Sequence, residues 1–253
     1  MKKIEAFIRH EAFEPIRTEL LEKGLRMETL VVQQRAAMDA YDPERKVGLI
    51  VDEWGTWHPA EPGHNPRFLY QQNTLRDALV AATTLDIFNR HADKVVMANI
   101  AQTINVLQAM VLTDGAAMVM TPTGYVYEMY VPHQGAAAVR TTIESDTQSF
   151  RAGDTERELP LVAGSASLKA KFLYVTLTNS QATDPVEVSV ELLGGASAIG
   201  GRARVLTGEI HAHNTFDAPE ALVPTPITWV TEGSTMRWTL PPASVVAVEL
   251  QLG

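Results

Sequence analysis

Two adjacent carboxylates, Asp52 and Glu53, sit inside the run VGLIVDEWGTW (residues 47–57), and two tryptophans, Trp54 and Trp57, follow at once. An apolar, β-branched run this short, bounded by turn formers, predicts a strand buried on both faces. A carboxylate at the carboxyl end of such a strand, with aromatic rings beside it, is how a glycosidase sets a nucleophile against a sugar. A second apolar run, residues 94–102, closes on Gln102, whose amide can bond a sugar hydroxyl. The plainer reading makes Asp52 and Glu53 solvated strand-end charges, Gln102 a helix cap, and Trp54 and Trp57 core aromatics.

These residues need elements to position them. Between the two strands lies a stretch with Leu75, Leu79, Ala82, Leu85 and Phe88 on one stripe, which predicts a helix over 69–90. Strand, crossover helix and strand make a parallel βαβ unit, and this puts Asp52, Glu53 and Gln102 on one rim. Strict alternation places Asp52 and Glu53 on opposite faces. A single strand pair cannot hide two apolar faces, so a larger parallel sheet or barrel is implied. Upstream, Ile4, Ala6 and Ile8 alternate as in a strand. Phe13, Ile16 and Leu20 then follow helical spacing, with Pro15 in the first turn and Gly24 as the C-cap. A second helix is expected over 27–41, closed by Asp42-Pro43, and another across 124–130.

Beyond about residue 136 the texture changes to short alternating runs at 172–178, 186–192, 202–206 and 244–250. Turn clusters, among them Gly194-Gly195, Gly200-Gly201 and Pro241-Pro242, separate them. This is the pattern of an antiparallel β-sandwich.

Bulk properties exclude several classes. A chain of 253 residues with a net charge of −9 and no basic run is a poor partner for nucleic acid or an anionic membrane surface. The absence of cysteine removes disulfides, thiolate metal sites and cysteine nucleophiles. No stretch approaches the ~20 apolar residues of a membrane span, so the expected location is cytoplasmic. His211 and His213 have the spacing of a metal pair, but no third ligand is evident, so neither a metal nor a cofactor is expected. His58 and His64 lie in the loop after Glu53, where they line a pocket or are simply solvated. Exposed apolar strand edges would favour a homo-oligomer.

At the level of motifs, residues 47–57, the segments NTLRDA (73–78), NIAQTINVL (99–107), TPT (121–123), NTFDAP (214–219) and LPPASVV (240–246) resemble the carboxyl-terminal half of glycoside hydrolase family 51. That family holds the retaining α-L-arabinofuranosidases. The resemblance implies the last part of a (β/α)₈ TIM barrel over 27–135, with 47–53 and 94–101 as its seventh and eighth strands. It also implies a jelly-roll-like β-sandwich over 136–253. By the same resemblance Glu53 is the nucleophile, Gln102 touches the arabinose ring and Trp57 lines the pocket. The substrate would be an arabinofuranosyl-containing oligosaccharide. The family's acid/base is a Glu after Asn at the end of the fourth strand, and no Asn-Glu dipeptide occurs here. These 253 residues alone are therefore expected to be inactive. Residues 1–25 resemble the opening of P-II nitrogen-signalling proteins, which suggests a βα lead segment (1–26) joined near Arg26. The competing readings are a non-catalytic remnant serving assembly or sugar contact, and a P-II-led regulatory fusion.

Overall fold

The structure, a computed structural model, describes residues 13–152, 155–232 and 234–253. Its first element, α1 (Phe13–Asp39), is one helix of 27 residues where the sequence suggested a strand–helix unit and a second helix. Gly24 is therefore an interior residue rather than a C-cap, and the expected join at Arg26 falls inside the helix. A helical Gly costs about 1 kcal/mol relative to Ala. Strong helix formers across 27–39 and packing against the next helix carry α1 through it. The strand expected at residues 4–8 lies outside the described residues.

The parallel unit follows: β1 (Leu49–Trp54), α2 (Leu75–Arg90) and β2 (Val95–Ile100). The helix starts six residues later than its apolar stripe suggested. Leu69 adopts a left-handed φ of 53°, and Thr74 with Asp77 forms a capping box that fixes the first turn at Leu75. Leu49, Val51, Trp54 and Val95 pack toward the helices in one core cluster with Leu75, Leu79 and Phe88. The opposite side of the pair is open: Ile50 is 48% exposed, Val96 65% and Met97 50%. The expectation of strands buried on both faces is thus corrected, because helices cover only one face. Charges tie α1 to the turn before β2. Asp93 pairs with both Arg35 and Arg45, and the buried Lys94 ammonium lies 3.4 Å from Asp39 and 3.7 Å from Asp42.

A hairpin of β3 (Val111–Asp114) and β4 (Ala117–Met120) leads to α3 (Pro122–Tyr130), capped by the Thr121 hydroxyl. The rest is strand. In chain order these are β5 (Ala137–Val139), β6 (Thr147–Ala152), β7 (Thr155–Pro160), β8 (Val162–Lys169), β9 (Phe172–Asn179) and β10 (Val186–Glu191). They continue with β11 (Ala198–Thr207), β12 (Thr225–Pro226), β13 (Val230–Glu232), β14 (Thr235–Leu240) and β15 (Ser244–Leu252). A six-stranded sheet, β12-β11-β15-β9-β8-β5, faces a three-stranded one, β10-β14-β13. Val175, Leu177, Val246, Val248 and Leu250 of the first pack on Met236, Trp238 and Leu240 of the second. This is the antiparallel sandwich that the alternating runs foretold.

The larger sheet's other face meets the helices, and there its alternate residues turn polar. Ser165 and Thr176 both donate to the fully buried Asp86 of α2, at 2.7 and 2.6 Å. One helix therefore links the parallel pair to the sandwich.

Candidate active site

Glu53 owes its position to an irregularity in β1. Val51 pairs with Ala98 and Trp54 with Ile100, so three steps along β1 match two along β2. That extra residue is a bulge, which re-aims the side chains beside it. Trp54 consequently joins the helix-facing side with Leu49 and Val51, and both Asp52 and Glu53 are exposed at the carboxyl end. Alternation alone places Trp54 on the side opposite Val51; the bulge brings it to the same, helix-covered side and leaves Asp52 and Glu53 both exposed.

Trp54 is 5% exposed, with its ring stacked on Tyr127 at 6.3 Å and edge-on to Phe88 at 5.5 Å. Its faces are taken, so Trp54 is corrected from sugar-stacking candidate to core residue. Trp57 is 59% exposed and its indole is free to meet a ligand. Gln102 is exposed as well. It follows Ala101, whose N–H donates to the Trp54 carbonyl at 2.8 Å, so Gln102 stands just past the end of β2, beside β1's own end.

The backbone between Glu53 and Trp57 is held by a buried polar network. Gly55 has φ of +148°, and a Cβ there would lie 3.3 Å from Gln108 Oε1 and 3.4 Å from the Ala101 carbonyl. Only Gly fits that approach without strain. The Thr56 N–H donates to Gln108 Oε1 at 2.7 Å, and its hydroxyl donates to Asp77 Oδ1 at 2.9 Å. Gln108 in turn donates to the Asp77 carbonyl at 2.8 Å. The His58 N–H donates to Gln71 Oε1 at 2.9 Å, and its Nε2 to Asp77 Oδ1 at 2.9 Å. Trp57 is thus clamped through both neighbours.

Asp77 is the hub. Burial works to raise its pKa, but the His58 hydrogen bond, the Arg76 guanidinium and the Thr74 amide outweigh burial and hold the carboxyl below its ordinary value. It therefore stays ionised and can accept all these donors. His58 anchors the loop from beneath instead of lining a pocket, while His64 rests on Tyr70 with ring centroids 4.4 Å apart. His211 and His213 belong to no cluster of three metal-capable side chains among the described residues. No motif marks Thr56, Gln71 or Gln108 in the sequence. The one sequence sign of the network is at its hub, where the Thr74-x-x-Asp77 spacing is that of a capping box.

Residues 52–244 match the family profile described as the Alpha-L-arabinofuranosidase C-terminal domain. An intracellular exo-alpha-L-arabinofuranosidase of Bacteroides ovatus is 39% identical over 232 residues, which cover 90% of this chain and 44% of that protein. Among solved structures, the GH51 arabinofuranosidase from Xanthomonas axonopodis pv. citri superposes with a TM-score of 0.84 at 44% identity, covering 90% of this chain and 46% of that one. A family 51 alpha-L-arabinofuranosidase from Bifidobacterium longum shares the fold, with a TM-score of 0.81 at 23% identity over 94% of this chain and 49% of that one. The chain spans less than half the length of each of these relatives. The P-II resemblance of residues 1–25 gains no support.

Proposed function

Because the chain belongs to the Alpha-L-arabinofuranosidase C-terminal domain family, we propose that it supplies the nucleophile side of a retaining arabinofuranosidase site. In this reading residues 27–135 are the closing part of a (β/α)₈ barrel and 136–253 its accessory sandwich. The open face of β1 and β2, with Ile50, Val96 and Met97 exposed, is what the remaining barrel strands would cover.

Glu53 carries the reaction as an ionised carboxylate. Its oxygen attacks the anomeric carbon of a terminal non-reducing α-L-arabinofuranosyl unit, and the glycosidic oxygen leaves with that bond's electrons. A second carboxyl group, about 5–5.5 Å from the first, protonates the leaving oxygen and then takes a proton from the water that releases arabinose. These 253 residues hold no Asn-Glu dipeptide to fill that second role, so the acid/base comes from sequence outside them. Gln102 hydrogen-bonds the sugar and Trp57 lines the pocket.

What supports this reading is that Glu53 and Gln102 are both exposed at the adjoining carboxyl ends of β1 and β2, where the Ala101 N–H donates to the Trp54 carbonyl. The naming of the Bacteroides ovatus relative as intracellular supports a cytoplasmic setting, and no described helix is long and apolar enough to cross a membrane. The test is a chimera in which this chain replaces the matching segment of the Bacteroides ovatus relative. The chimera should release nitrophenol from an aryl α-L-arabinofuranoside, and Glu53→Gln should lower kcat by at least roughly a thousandfold. Undiminished activity in Glu53→Gln would remove the nucleophile assignment.

A further inference from the structure

A cleft of about 300 Å³ lies between α3, the turn at Val131–His133 and the helix-facing side of the larger sheet, and it shares no residue with the Glu53 rim. Three neighbouring strands build its floor. Arg202, Glu249 and Tyr174 stand opposite one another in one row across β11, β15 and β9, and Arg204, Ala247 and Thr176 in the next. Ala247, with only a methyl group, stands among Arg202, Arg204 and Tyr174, and this difference in length creates the hollow. The volume is at the lower end of the range for small-molecule sites.

The lining selects among ligand chemistries. Arg202 pairs with Glu249 at 3.1 Å and Arg204 with Glu128 at 2.9 Å, so the charged groups sum to zero and offer no net attraction to an anion. The His133 ring stands edge-on to Tyr174 at 6.4 Å and shares a 2.7 Å hydrogen bond with Ser167. Burial pushes its pKa down to about 4, which leaves the imidazole neutral. A ligand suited to this site carries no charge, lays C–H groups on the aromatic rings and turns hydroxyl groups to the exposed guanidinium and carboxylate edges.

We propose that this cleft binds a short neutral saccharide. The assignment stands apart from the reading of Glu53.

Titration of the ¹⁵N-labelled 253-residue chain with arabinotriose, followed by amide NMR, tests it. Resonances of residues 128–133 and 202–204 should shift with a Kd of about 1 mM, and Tyr174→Ala should weaken binding about tenfold. Arg202→Gln, a change at the exposed rim that the fold tolerates, should weaken it similarly. Inorganic phosphate should leave these resonances in place. Shifts confined to residues 53–57 and 102 would overturn the cleft site while sparing the active-site reading. Stronger shifts with phosphate, parent-like affinity in Arg202→Gln, or no shift at about 10 mM saccharide would each overturn it too.

Discussion

His58 Nε2 donates to Oδ1 of Asp77 at 2.9 Å, and that same oxygen accepts the Thr56 hydroxyl at 2.9 Å. One buried carboxylate at the start of α2 therefore fixes both neighbours of Trp57. The loop after Glu53 is built like a core, although Trp57 itself faces outward.

Removing that hub is costly. Asp77→Ala leaves His58 and Arg76 without this acceptor and the Thr56 hydroxyl with only Gln108 Oε1 at 3.2 Å, and we expect a loss of about 3 kcal/mol in urea unfolding. The sign of the pH dependence follows from the depressed carboxyl. Its stabilisation is present above the ordinary value of 3.8 and is lost as pH falls through the lower folded value. Asp77→Ala should therefore lose less stability than the parent on acidification from pH 5 to 3. A parallel acid response in the two proteins would contradict the role given to Asp77.

Asp86 and His133 act in opposite directions. Burial raises Asp86 to about 6, so its contribution is full below 3.8 and is lost as pH rises through 6. That rise corresponds to roughly 3 kcal/mol. Burial lowers His133 to about 4, so its contribution is present above 6.5 and is lost as pH falls through 4. The two largely offset each other between pH 4 and 6. Asp86→Asn keeps an acceptor for Ser165 and Thr176 and should expose the His133 limb, with stability rising with pH across this window more steeply than in the parent. Equal slopes in both proteins would refute the offset.

Gly55→Ala puts a Cβ into the approach between Gln108 and Ala101 at a φ that favours glycine. The expected loss is about 1–3 kcal/mol in thermal or urea unfolding, with a shifted Trp57 fluorescence maximum. An unaltered melt would show that the turn tolerates the methyl.

The open face of β1 and β2 predicts self-association of the isolated 253 residues. Size-exclusion chromatography with light scattering should show oligomers that Val96→Lys with Met97→Lys shifts toward monomer. A monomeric parent at all concentrations would contradict this.

Much of this was legible in the residues, for reasons that also mark where legibility ends. The sandwich strands could be read because inward Leu173, Val175 and Leu177 alternate with Tyr174, Thr176 and Thr178, and the two faces meet different neighbours. The βαβ unit was legible from the stripe of α2. The bulge was not, because a single extra residue in β1 has no compositional mark; alternation alone does not bring Trp54 to the helix-covered side with Val51. Trp54 and Trp57 are chemically identical, and only packing against Phe88 and Tyr127 separates the core ring from the exposed one. Gly24 read as a helix end because local preference favours a cap there, and the contact with α2 overrode that preference.

Everything proposed for this rim depends on Glu53 being the attacking carboxylate. Azide rescue of Glu53→Gly, made in the chimera with the Bacteroides ovatus relative, tests it most directly. Azide would occupy the space of the lost side chain and attack the anomeric carbon from that face. Azide should restore nitrophenol release from an aryl α-L-arabinofuranoside and yield the inverted β-L-arabinofuranosyl azide. Unchanged turnover of the variant without azide, or rescue giving the α-azide, would contradict it.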